Sequence, residues 1–70
     1  MRALTKLELG SRLRDLRLSR GYRQEDLAKL LGISRTAISE IETGKRYFRV
    51  SELAQMSLDL GCDVMQFIFK

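Results

Sequence analysis

Apolar positions recur at helical spacing along almost the whole chain, and the alternation that marks strands is scarce. Proline is absent, and glycines fall between the periodic segments. The pattern divides into five short helices. The first begins near Thr5, where Thr5 and Glu8 have the spacing of a capping box, and Gly21 ends it. Leu9, Leu13 and Leu16 form its inward stripe. The second runs from about Gln24 to Leu31, with Leu27, Ala28 and Leu31 on one face. Glu25 and Asp26 suit the positive end of its dipole, whereas Arg23 is a poor N-cap residue. Tyr22 and Leu27 have the spacing of a hydrophobic staple. Gly32 stops this helix and Ser34 caps a third, with Ala37, Ile38 and Ile41 inward. Gly44 ends the third helix and opens a basic, aromatic loop, Lys45 to Arg49. The fourth runs from Val50 or Ser51 to Leu60, with Leu53, Met56 and Leu60 inward. Gly61 ends it, and Asp63 caps a short fifth. The expectation is an all-α, compact five-helix domain over 1–70, with its core in 9–61 and a short C-terminal helix in 62–70.

The segment from Gln24 to Gly44 is the most informative. Two helices of about two turns are joined by a turn headed by Gly32, which can adopt a left-handed backbone without a steric penalty. Ala28 is small enough for two helix backbones to approach, and Ile33 and Ile38 lock the crossing from inside. Such a pair cannot bury itself alone, so the other helices must complete the core. The crossing holds the outer side of the third helix away from the body. That side carries Arg35, Thr36, Ser39 and Glu40, all hydrogen-bonding residues. An α-helix fits the major groove of B-DNA, where arginine can read guanine and glutamate can accept from cytosine N4.

Charge supports this direction. The chain has 13 basic and 9 acidic residues, net +4. Residues 1–50 hold 12 of the basic and 6 of the acidic ones, so the tail is faintly acidic and apolar. Histidine is absent, which removes the commonest general base and metal ligand. No lysine–serine pair is placed to activate a hydroxyl, so an enzyme is not expected. The single cysteine, Cys62, excludes an internal disulfide and a cysteine-based zinc site, and reads as a packing residue. No cofactor and no metal are expected. No apolar run is long enough for a membrane span or a signal peptide, which suggests a reducing, cytoplasmic setting.

Residues from about 9 to 61 resemble the helix-turn-helix module of the lambdoid phage repressors and Cro proteins, the xenobiotic-response-element family. The resemblance rests on Leu13 and Leu16-Arg17, then Gln24, Leu27-Ala28 and Leu31-Gly32-Ile33-Ser34, then Ile38, Ile41-Glu42 and Gly44-Lys45. It implies a lambda-repressor-like fold with the third helix as the recognition helix. By position, Arg35 and Thr36 lie nearest the bases, with Ser39 and Glu40 a turn later. Gln24 would hold a phosphate at the start of the second helix, and Thr43, Lys45 and Arg46 would hold others beyond the third. Arg17 and Glu42 match a buried ion pair of the family; leaving one such partner alone costs about 3–5 kcal/mol. The chain departs from the family pattern in three places. Arg23 stands where serine or threonine is usual and could add a phosphate contact. The usual proline after the third helix is missing. Glu40 on a DNA-facing surface repels phosphates, and could read a cytosine or orient Arg35 or Arg46.

The tail from Val64 to Phe69 is apolar on nearly every side. Val64, Phe67 and Ile68 can close the core, while Leu58, Met65, Phe67 and Phe69 are the candidate contacts of a homodimer. The resulting expectation is sequence-specific binding of double-stranded DNA with a pseudo-palindromic operator by a dimeric transcriptional regulator, a repressor occluding a promoter. With no separate ligand-sensing domain expected, control would come through concentration, proteolysis or a partner. A phage or plasmid regulator, a restriction-modification controller and an antitoxin all fit this size. The alternative is an antitoxin or adaptor whose apolar tail holds a toxin or other protein partner.

Overall fold

A computed structural model describes residues 2–69. Met1 and Lys70, the two ends of the expected 1–70 unit, lie outside the described residues. Five helices follow in order: α1 (Lys6–Ser19), α2 (Gln24–Leu31), α3 (Arg35–Glu42), α4 (Val50–Leu60) and α5 (Val64–Ile68). Each of the five anticipated helices is present.

Local chemistry sets the helix starts. Thr5 and Glu8 form the reciprocal capping box, with bonds of 3.2 and 3.0 Å. Ser34 Oγ accepts from the Ala37 amide, and Asp63 accepts from Met65 and Gln66. At the weak N-cap Arg23, the Asp26 carboxylate accepts from the Arg23 backbone amide at 2.9 Å. Glu52 does the same for Arg49 at 2.7 Å, which places the start of α4 at Val50. An acid three residues after each arginine thus supplies half of a capping box.

α1 lies across α3, α2 packs on both α3 and α4, and α5 closes against α4 and α1. Leu13, Leu27, Ile38, Ile41 and Met56 are fully buried at the centre. Gly32 has φ of +68°, the left-handed conformation that turns the chain between α2 and α3. Gly10 has a different role. A Cβ there would lie inside van der Waals contact of the Ile41 carbonyl oxygen and the Glu42 backbone. The missing side chain is what lets α1 seat directly on the last turn of α3.

The core is wider than residues 9–61. Leu4 and Phe67 are both buried, at 6% and 5% exposure. The segment before α1 is extended, and its backbone needs partners. The end of α5 provides them: the Leu4 amide donates to the Ile68 carbonyl at 2.9 Å, and Ala3 bridges antiparallel to Phe69. Arg12 of α1 donates to the carbonyls of Gln66, Phe67 and Phe69, groups that a short helix leaves unbonded. The Phe67 ring meets Phe48 edge-on, with centroids 6.0 Å apart. This corrects the place of Phe67 among the dimer contacts, because its side chain is spent inside the subunit. Phe69 is half-buried, whereas Leu58 and Met65 are 79% and 61% exposed.

Replacing Gly10 with alanine should lower stability by about 1–3 kcal/mol through overpacking at the α1–α3 contact. The urea midpoint measures this; an unchanged midpoint would mean that the two backbones are not in such close contact.

Candidate nucleic-acid interface

The interface is built on a frame that the core does not supply. Glu42, at the end of α3, is buried, and its carboxylate receives Arg17 Nε at 2.7 Å and Arg17 Nη2 at 3.1 Å. Arg17 also donates to the Tyr22 carbonyl at 2.9 Å, in the turn before α2. Gln24 Nε2 adds a third bond to Glu42 at 3.1 Å. One carboxylate therefore joins α1, α2 and α3. Charge-assisted, two-pronged geometry of this kind fixes orientation as well as distance.

The frame presents the outer face of α3. Arg35, Thr36 and Glu40 are exposed and Ser39 is half-buried. Gln24, Arg35, Thr36 and Ser39 together line a polar cleft of about 170 Å³ between the start of α2 and α3. Four of the residues singled out in the sequence thus meet at one place. Glu40 lies outside that cleft, one turn further along. Gln24 reaches the cleft with its amide nitrogen already committed to Glu42, so its side chain is part of the frame as well as of the surface.

Arg46 differs from expectation. Its guanidinium grips the Glu52 carboxylate at 3.1 and 2.9 Å and donates to the Tyr47 carbonyl at 2.8 Å. Its charge is matched by a side chain that is only 3% exposed, so it shapes the loop after α3 instead of standing free for a phosphate. This pair carries the loop where the usual proline is missing. Burial by itself would raise the Glu52 carboxyl; hydrogen bonds from Arg46 and the Arg49 amide, with the nearby positive charges, outweigh it and hold the group below its ordinary value. Lys45 remains exposed, its amide bonded to the Glu40 carbonyl at 2.8 Å. Thr43 Oγ donates back to the Ser39 carbonyl at 2.8 Å. Arg23 is exposed and pairs loosely with Glu25 and Asp26, each at 3.3 Å. Cys62 is half-buried, and burial pushes its thiol up, as suits a packing residue.

Among the described residues there is no cluster of side chains that could hold a metal ion. Nor is any helix among them long and apolar enough to cross a membrane. A helix-turn-helix domain model matches residues 8–63. The chain belongs to the helix-turn-helix family. Its five helices have the all-α arrangement of the Cro/C1-type regulators it is similar to, which are non-enzymatic.

Its helix-turn-helix relatives include the ImmF control region 10 kDa protein of Bacillus phage phi105, 32% identical over 57 residues. That match takes in 81% of this chain and 63% of the phage protein, so the chain spans less than two thirds of that relative. Among solved structures, the restriction-modification controller protein C.AhdI from Aeromonas hydrophila superimposes with a TM-score of 0.81 at 28% identity. That match covers 90% of this chain and 96% of C.AhdI. SinR, a master regulator for biofilm formation solved in complex with DNA, matches with a TM-score of 0.75 at 25% identity. It covers 84% of this chain and 95% of that one.

In this helix-turn-helix protein, sequence reasoning missed Glu52 and Gly10. The signal for Glu52 was present as an acid three residues after Arg49, the same spacing as Asp26 after Arg23. The signal for Gly10 was a glycine inside an otherwise good helix, which marks a close approach. Glu52→Gln should cost about 2 kcal/mol at pH 7 by weakening the charged bonds to Arg46 and Arg49. A carboxyl depressed on folding stabilises above its ordinary value of 4.5 and loses that contribution as pH falls through the folded value. The denaturation curves of the variant and the parent should therefore converge below pH 4.5, and a gap that stays constant into acid would refute the ionic role.

Proposed function

We propose that the protein binds double-stranded DNA at a pseudo-palindromic operator as a twofold dimer, and represses transcription in the cytoplasm by occluding a promoter. The reading rests above all on the outer face of α3, whose polar side chains are exposed around a cleft shared with the start of α2. The likeness to SinR, a regulator solved with DNA, supports it. In this reading the whole chain, 1–70, works as one DNA-binding unit. Arg35, Thr36, Ser39 and Glu40 face base edges. The amide end of α2 at Gln24, with Arg23, Thr43 and Lys45, faces phosphates. Arg46 takes part through the loop it holds.

The dimer joins the exposed Leu58 and Met65 to their counterparts, with Phe69 at the margin. Apolar side chains this exposed on adjoining elements mark a contact surface. Two recognition helices then sit about 34 Å apart and read successive major grooves.

Selection from random duplexes at moderate salt should enrich a symmetric motif. If each subunit meets about four phosphates, log affinity should fall against log salt with a slope near about −7. Absence of any enriched motif, with a protein captured through the tail instead, would favour the adaptor reading. Changing both Leu58 and Met65 to aspartate should give a folded monomer by sedimentation and weaken operator binding by at least about tenfold, because avidity is lost. A double variant that remains dimeric would place the contact elsewhere.

A further inference from the structure

Glu40 is the one acidic side chain on the exposed face of α3. It follows Arg35 by five residues, so the two side chains project roughly 140° apart around the helix, at opposite margins of that face. Among the described residues, the Glu40 carboxylate makes no hydrogen bond and no ion pair. Its backbone carbonyl is occupied by the Lys45 amide at 2.8 Å and by Thr43 Oγ at 3.4 Å. Of the two arginines that could neutralise it, Arg46 is near enough to feel its charge, yet neither hydrogen-bonds it. Arg46 is held by Glu52 through two bonds, and Arg35 borders the cleft with Gln24, Thr36 and Ser39. The carboxylate is thus exposed on the outer face of α3 without a hydrogen-bonded partner.

We propose that Glu40 is a specificity-determining residue that accepts a hydrogen bond from the N4 amine of a cytosine in the major groove. The inference rests on the DNA-binding reading of α3 given above. A carboxylate is repelled by every phosphate and by every acceptor on a base edge, so within the groove it is best placed opposite a donor. The major groove offers two donors, cytosine N4 and adenine N6. They differ in what flanks them. Adenine N6 lies between two acceptors, its own N7 and O4 of the paired thymine. Cytosine N4 has an acceptor on one side alone, O6 of the paired guanine, and lies toward the edge of the base pair. A carboxylate reaching in from the margin of α3 therefore meets cytosine with less repulsion than adenine. The same charge lowers affinity for sequences without that cytosine, so Glu40 contributes to selectivity by exclusion as well as by contact.

The test is random-duplex selection run in parallel on the parent, Glu40→Gln and Glu40→Ala, with affinities then measured on the parent motif and its single-base changes. The parent should enrich cytosine at one position of each half-site and lose about ten- to one-hundred-fold in affinity when it is changed. Glu40→Gln should keep the rest of the motif and move that position toward adenine, which a glutamine amide can pair with through N6 and N7. Glu40→Ala should lose preference at that position and bind unrelated duplexes more tightly than the parent does. If both variants return the parent motif with no base changed, the assignment of Glu40 is overturned while the DNA-binding reading stands. If the parent itself enriches no motif, the DNA-binding reading fails and this inference falls with it.

Discussion

The buried carboxylate of Glu42 ties three helices into one frame. Arg17 grips it from α1 with two bonds, Gln24 reaches it from α2, and the residue itself ends α3. Apolar packing around Ile38, Ile41 and Leu27 pulls these helices together but sets their crossing angles only loosely, to within roughly 15–20°. The planar guanidinium sets them more closely. Breaking such a buried pair from one side leaves an uncompensated charge, so the geometry is held against small rotations. The outward presentation of α3 depends on that restraint, and so does the cleft that Gln24 shares with Arg35, Thr36 and Ser39.

The arginines divide into two groups that a charge count cannot separate. Arg12, Arg17, Arg20 and Arg46 point inward or along the surface and bond carbonyls or carboxylates. They act as caps and struts: Arg12 closes the end of α5, and Arg20 reaches the last carbonyl of α4 at 2.9 Å. Arg14, Arg23, Arg35 and Arg49 remain exposed, as does Lys45. Fewer basic side chains are therefore free of hydrogen bonds within the fold than the count of 13 suggests. A small domain with few apolar residues to spare uses planar, many-donor side chains to satisfy helix ends that the core cannot reach.

Much of this was readable along the chain. Helix boundaries follow from Thr5, Ser34, Asp63 and the glycines after α1, α2 and α4, because caps and left-handed turns are local events. The outward set Arg35, Thr36, Ser39 and Glu40 follows from helical periodicity against the buried Ile38 and Ile41. Phe67 was harder to place. On a short helix that is apolar all round, periodicity cannot say which side faces the core, and it was the extended arm at Leu4 and the ring of Phe48 that decided it. The pairing of Arg46 with Glu52 is not legible for a related reason. Their spacing spans a loop, where no regular period says which side chains meet.

Interactions within a few residues are enough to set the five helices, their caps, the turn at Gly32 and the polar composition of the face on α3. Which charges are spent on the fold and which stay exposed is settled by packing between distant segments. That division depends on distances between residues far apart in the chain: Arg17 and Glu42, Arg12 and the end of α5, and Gly10 beneath Ile41. A charged side chain reads the same in a sequence whether it stands in water or against a buried partner. Its surroundings come from the packed chain, and they set what it can do.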